Sequence, residues 1–184
     1  MISLRGCWGI LTVSAIAIVV AHGQDSRPLA TVAKVDLTRY AGLWHEIARI
    51  PNRFQTRCAW GVTADYAVRA DGRINVVNRC YDGSGKVEEA QGLARVEDTA
   101  SNARLKVSFF SILGWRPVWG DYWIIGLGDN YEYALVGAPG RNYGWILARE
   151  RKLDESTLKK IFTQLREQGY DPERFQMTRQ ESGK

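Results

Sequence analysis

The chain has 184 residues, 45% hydrophobic and 24% charged, which suits one globular domain with a sizeable core and leaves little room for a second. Its net charge of +5 is mild and spread out. With no Lys/Arg-rich run to track a phosphate backbone, nucleic acid is set aside as a partner, while anionic lipid headgroups stay compatible.

The first segment stands apart. Arg5 precedes an apolar run over residues 8–21, too short for a comfortable membrane span, and Ala21-His22-Gly23 has the small-residue spacing of a cleavage site. Residues 1–23 are expected to be a signal peptide and residues 24–184 a single domain, periplasmic or secreted. A lipoprotein needs its cysteine directly after the apolar run. Cys7 precedes it, which argues against an outer-membrane lipoprotein. Export leaves Cys58 and Cys80 as the only cysteine pair in an oxidising compartment, where a disulfide is the default. Mirroring the strands about the Asp71-Gly72 turn puts Cys80 opposite Thr63, so Gln55-Thr56-Arg57 must fold back for the bridge to close. A free thiol at the rim is the rival reading.

Residues 24–35 read as a tether and 35–41 as a short helical turn. Gly42-Leu43-Trp44 then opens the first strand, 44–50, which Pro51-Asn52 ends. Strand-like segments follow at 60–69, 73–81, 86–96, 104–110, 121–127, 131–136 and 143–149, joined by short turns such as Gly128-Asp129-Asn130. Eight strands without intervening helices favour an antiparallel meander over a parallel α/β sheet. With an even number of hairpin-linked strands, the end of the last returns to the start of the first. Arg149 can then lie across Trp44 and seal one end of a closed barrel, a cation–π pair worth roughly 0.5 to 2 kcal/mol. A helix comes only afterwards: Asp154 is a good N-cap, Leu158, Ile161, Phe162 and Leu165 share one face, and Gly169 stops it. The expected fold is all-β, an eight-stranded up-and-down antiparallel β-barrel with one C-terminal α-helix packed outside and a short final strand near Phe175.

The order of these features resembles the lipocalins. Leu43-Trp44-His45-Glu46-Ile47-Ala48-Arg49, Asn52-Arg53-Phe54, Leu105-Lys106-Val107-Ser108-Phe109-Phe110 and Ala134-Leu135-Val136 are similar to the bacterial lipocalins of the Blc type and the related animal apolipoprotein D, and Gly42, Trp44 and Arg149 match the barrel-closing positions. The resemblance covers nearly all of the chain after residue 23. It implies a calyx, closed at one end, that binds fatty acids, lysophospholipids or similar apolar molecules. Two features depart from it: the missing anchor cysteine, and a loose Asp129-Asn130-Tyr131 in place of the family's Thr-Asp-Tyr-like turn.

If Trp44 and Arg149 mark the closed end, the mouth carries the loops after strands one, three, five and seven. The loop at 111–120 is apolar where loops normally run polar, so Trp115, Arg116 and Trp119 are expected at a ligand lid or in transient contact with a membrane surface; folding down as rim core is the alternative. Alternation along the strands selects Glu46 and Ala48 for the inside with Trp44, and puts His45 and Ile47 outside. The other expected wall residues are Tyr66, Val77, Leu105, Val107 and Phe109, then Tyr122, Ile124, Tyr133, Leu135 and Trp145, with Glu46 or Tyr133 able to hold a headgroup. No metal, cofactor or catalytic residue is expected. His45 is the one histidine after residue 23, which excludes a multi-His metal site, and adjacent Glu88 and Glu89 point to opposite faces of a strand. Two other function classes stay open: an enzyme using a free rim cysteine on a bound lipid, and a protein-binding barrel with a filled interior.

Overall fold

A computed structural model describes residues 28–181; the expected signal peptide, its cleavage site and Cys7 lie outside the described residues. The chain forms α1 (Leu37–Tyr40), β1 (Gly42–Arg49), β2 (Trp60–Val68), β3 (Ile74–Tyr81), β4 (Val87–Val96), β5 (Arg104–Ser108), β6 (Gly120–Leu127), β7 (Tyr133–Gly137) and β8 (Gly144–Ala148). Then come α2 (Glu155–Glu167), a single 3-10 turn (Pro172–Arg174) and β9 (Gln176–Met177).

Each strand pairs antiparallel with the next, and β1 closes the ring by pairing through Gly42 to His45 with β2 and through His45 to Arg49 with β8. Closure leaves no edge among the eight strands. Outside that ring β9 adds to β1, with Ala48 opposite Met177. The chain beyond β9 then bridges to β2 where β1 and β2 splay apart: Thr178 donates its N–H to the Ile47 carbonyl, and Gly61 donates to that of Arg179.

Two apolar clusters lie on opposite sides of the wall. The inner one gathers Tyr40, Trp44, Tyr66, Ile74, Val76, Leu105, Ile124, Val136 and Leu147. The outer one packs the wall residues Ile47, Tyr133, Leu135 and Ile146 beneath Ile161 and Leu165 of α2. That helix starts on Asp154, whose carboxylate accepts from the Thr157 N–H at 2.9 Å, and ends where Gly169 takes φ +75°.

Three expectations need correction. Residues 28–35 are no loose tether: Leu29 and Val35 are buried, and the Val32 and Val35 N–H groups bond to the Ile124 and Ser101 carbonyls. The β2–β3 register sets Thr63 against Arg79, one residue from the mirrored estimate, with an irregularity between Trp60 and Thr63. The thiol rival falls, because Cys58 and Cys80 are bridged, their Cα atoms 5.5 Å apart.

The closed end is built as the sequence suggests, with more bonds. Arg149 Cζ sits 3.8 Å from the Trp44 ring centroid. Its guanidinium also donates to the carbonyls of Leu43 and Arg39, both at 2.7 Å, and of Ala41 at 3.0 Å and Tyr40 at 3.2 Å. It thereby caps the last carbonyls of α1 and ties that turn under the barrel. Gly42 is needed because its φ of +90° lies where a side chain would be strained.

Candidate functional site

The loops after β1, β3, β5 and β7 lie at the end opposite Arg149, so the mouth of the barrel is there. Of the expected wall residues, Tyr66, Leu105, Val107, Tyr122, Ile124 and Trp145 belong to the inner cluster or pack against it. Phe109, just past β5 and 44% exposed, lies over Gly92, where an added Cβ would come within 2.7 Å of its ring. Gly92 is thus the gap that lets an aromatic ring bend over the rim.

Four wall residues face the other way. A bulge between Glu46 and Ala48 turns Ile47 and Ala48 both outward, so Ala48 joins the outer cluster. Tyr133 and Leu135 do likewise, with the Tyr133 hydroxyl on Gln164 of α2 at 3.4 Å; Ala134 and Val136 take the inner positions. Val77 pairs with Asp65 on the outer side, while its neighbour Val76 pairs with Tyr66 inside. The strand alternation also puts Trp119 outside, where the Arg95 guanidinium covers its ring at 4.5 Å and its indole N–H bonds to the Arg116 carbonyl.

Glu46 follows Trp44 on the inner side and is only 2% exposed, yet it is not available to a ligand. One carboxylate oxygen accepts from Arg49 at 2.6 Å and from the Thr178 hydroxyl, and the other accepts from Gln55 at 2.6 Å. Gln55 in turn accepts from the Trp145 indole at 3.0 Å. A buried carboxylate held by three donors is a latch between β1, the loop after it and the segment after β9.

Deeper in the barrel interior lies a feature the sequence did not disclose. Tyr40 rises from α1, and its hydroxyl meets that of Tyr122 at 2.7 Å; the Tyr122 hydroxyl meets that of Tyr66 at 2.8 Å. Burial pushes all three phenols up, Tyr66 to about 12 and Tyr40 and Tyr122 well above the ordinary tyrosine value. They are neutral hydrogen-bonding groups at any physiological pH. On β3, Asn78 shares the inner face with Ile74 and Val76, and its Oδ1 is buried without a partner. Outside the wall, burial lowers the His45 pKa, and its Nδ1 is likewise unpartnered.

At the rim, Ile112 and Trp115 pair across a tight turn whose centre, Leu113 and Gly114, has φ of +48° and +84°. Leu113 is fully exposed and Trp115 67% exposed, with Phe110, Ile112 and Val118 also outward. Arg116 folds back, donating to the Ser108 carbonyl at 2.8 Å. The loop divides: Arg116 and Trp119 are anchored, and the tip stands in solvent. A separate cleft of about 450 Å³ lies outside the barrel between α2 and β9, lined by Ile47, Leu153, Leu158 and Met177 among others.

A closed eight-stranded barrel, a plug held by Arg149 over Trp44 and a single helix outside now stand together, and a lipocalin-like domain model matches residues 35–180. The chain belongs to the lipocalin family. This lipocalin is 36% identical over 159 residues to temperature-induced lipocalin-1 of Arabidopsis thaliana, covering 85% of each chain. It is 34% identical over 169 residues to the outer membrane lipoprotein Blc of Escherichia coli K12, covering 90% of this chain and 92% of that one. Apolipoprotein D of Macaca fascicularis is 32% identical over 156 residues, covering 80% and 78%. Insecticyanin from the tobacco hornworm Manduca sexta shares the fold at a TM-score of 0.66 and 21% identity, over 83% of this chain and 84% of that one. Family membership supports binding of a small hydrophobic molecule.

Proposed function

We propose that this lipocalin is exported and holds a fatty acid, a lysophospholipid or a similar apolar molecule in its calyx, for storage or transport in the cell envelope or outside the cell. The observation that carries the reading is the inner wall itself. Val107 and Trp145 both pack against the inner cluster yet are only part-buried, as side chains bordering a lumen would be. Burial at roughly 25 cal/mol per Å² makes a fatty-acid-sized tail sufficient for micromolar binding after the cost of immobilisation. Export rests on the apolar run at 8–21, and the name of the outer membrane lipoprotein among the relatives supports an envelope setting. The apolar tip at Ile112, Leu113 and Trp115 would touch a membrane surface while ligand is loaded or released. The proposal is tested by Val107→Trp, which fills the lumen: lipid binding is expected to vanish while the far-ultraviolet spectrum and cooperative melting persist. Unchanged affinity in a folded variant would remove the calyx as the site.

A further inference from the structure

The seam between α2 and the barrel is filled along only part of its length. Towards the end of α2, Ile161 and Leu165 are fully buried in the outer cluster. Around its start, Leu153 and Leu158 pack against the same cluster yet stay half-buried, and the cleft of about 450 Å³ opens there. Its floor is Ile47 of β1, and its far wall is β9 with the residues that follow. Side chains alternate along an extended segment of this kind. Thr178 and Gln180 turn towards β1 and β2: the Thr178 hydroxyl donates to the Glu46 carboxylate, and the Gln180 amide donates to the Glu46 and Val62 carbonyls at 2.6 and 3.1 Å. Met177, Arg179 and Glu181 are left for the outer side, and all three are exposed, Met177 to 58%. An exposed methionine beside a half-open apolar seam is surface that a ligand chain gains by covering.

The charge around this apolar floor is one-sided. Arg151 and Lys152, just before α2, and Arg179, just after β9, line the cleft against the single carboxylate of Glu181. None of the three cations forms an ion pair among the described residues. The nearby Asp154 carboxylate is taken by the Ser156 and Thr157 hydroxyls and the Thr157 N–H. A second copy of this chain seated here about a two-fold axis would bring two such sets of cations together. An anion carrying an apolar chain satisfies both the charge and the floor.

We propose that this cleft is a second ligand site, outside the calyx, for a single-chain anionic amphiphile such as an alkyl phosphate or a fatty-acid anion. The chain lies on Ile47, Leu153, Leu158 and Met177, and the head meets Arg151, Lys152 and Arg179 at the rim. A volume of about 450 Å³ is at the lower end of the range for small-molecule sites, roughly 300 to 1,000 Å³, which favours one chain over two. Because Ile47 faces outward, the barrel wall separates this site from the interior, and the cleft does not depend on calyx binding.

Dodecyl phosphate, kept below its micellar concentration, is to be titrated into the isotope-labelled protein and followed by amide chemical shifts, with dodecylphosphocholine and inorganic phosphate as comparison probes. The amides of Leu153, Leu158, Met177 and Arg179 are expected to shift saturably, with dodecyl phosphate bound about tenfold more tightly than either comparison probe. Raising the ionic strength from about 0.1 to 1 M shortens the screening length from about 10 to 3 Å and should weaken dodecyl phosphate several-fold. In the combined variant Arg151→Gln, Lys152→Gln and Arg179→Gln, the preference for the anionic head should fall to about twofold or less while dodecylphosphocholine binds as before. Shifts confined to the mouth or to Val107 and Trp145, equal affinity for the two heads, phosphate bound as tightly as its dodecyl ester, or a preference surviving in the triple variant would overturn the site. Cleft shifts that grow with protein concentration alone would give the surface to a second copy and overturn it as well. The wild-type comparison of heads decides the matter even where the triple variant does not fold. Val107 and Trp145 report the interior separately, so failure at the cleft leaves calyx binding standing, and failure in the calyx leaves the cleft standing.

Discussion

Arg149→Ala removes one side chain and several unlike interactions at the closed end. The guanidinium lies 3.8 Å from the Trp44 ring centroid and donates to four main-chain carbonyls between Arg39 and Leu43. The cation–π contact contributes roughly 0.5 to 2 kcal/mol. The four bonds would add more if the site were dry, but Arg149 is only half-buried and water replaces some of them, so about 0.5 kcal/mol each is a fair discount. The loss should therefore be about 2.5 to 4 kcal/mol, which for a domain of this size lowers the melting temperature by roughly 5 to 16 °C. Arg149→Lys keeps a cation over the ring yet reaches fewer carbonyls, so it should recover about half of the loss. Differential scanning calorimetry measures both variants, and lipid affinity of the folded protein should not change, because Arg149 lies beyond the lumen floor. A melting shift under about 2 °C for Arg149→Ala would refute the reasoning. Full recovery by lysine would assign the effect to charge alone.

Removing the bridge by Cys58→Ser with Cys80→Ser should cost about 3 kcal/mol, because the sequence separation of 22 residues sets the chain entropy released on unfolding; a denaturant midpoint indifferent to this change and to reductant would contradict it. The buried phenols predict an alkaline transition. Tyr66, with a folded value near 12, is raised above its unfolded value, so its contribution to stability is whole below about pH 10 and is lost as pH rises towards 12. Absorbance of ionised tyrosine should therefore show Tyr40, Tyr66 and Tyr122 silent until the barrel unfolds, and an ordinary titration of these three, assigned by single Tyr→Phe variants, would count against their burial. At the rim, Leu113→Asn suits the positive φ better, so it should stabilise the fold by about 0.5 to 1 kcal/mol. It should also weaken binding to anionic vesicles about tenfold by removing an exposed leucine; unaltered co-sedimentation would take the loop tip out of the membrane contact.

Much of the fold was legible because local signals agreed with one another. Strand punctuation by Asp71-Gly72 and Gly128-Asp129-Asn130 marks the meander, and Asp154 and Gly169 bound the helix within a residue or two. The wall was read less well, for reasons of physics. All five residues of β7 are buried, because the lumen core covers one side and α2 the other, so Tyr133, Ala134, Leu135 and Val136 show no alternation to read. Adjacent Val76 and Val77 posed the same ambiguity, which only the pairing with Tyr66 resolves. A bulge that no residue type announces turns Ala48 outward. The phenol cluster is not legible for a different cause: Tyr40 belongs to the plug rather than to a strand, so no strand periodicity brings it to Tyr66 and Tyr122. Saturation of Glu46 was hidden because Thr178 lies 132 residues away in the chain.

The most direct test of calyx binding is native mass spectrometry of the protein isolated from the cells that make it, followed by lipid extraction under denaturing conditions. The account predicts a mass excess matching one apolar molecule of fatty-acid or lysophospholipid size, released on denaturation and lost in Val107→Trp. A protein of bare polypeptide mass that also takes up no added lipid would contradict it.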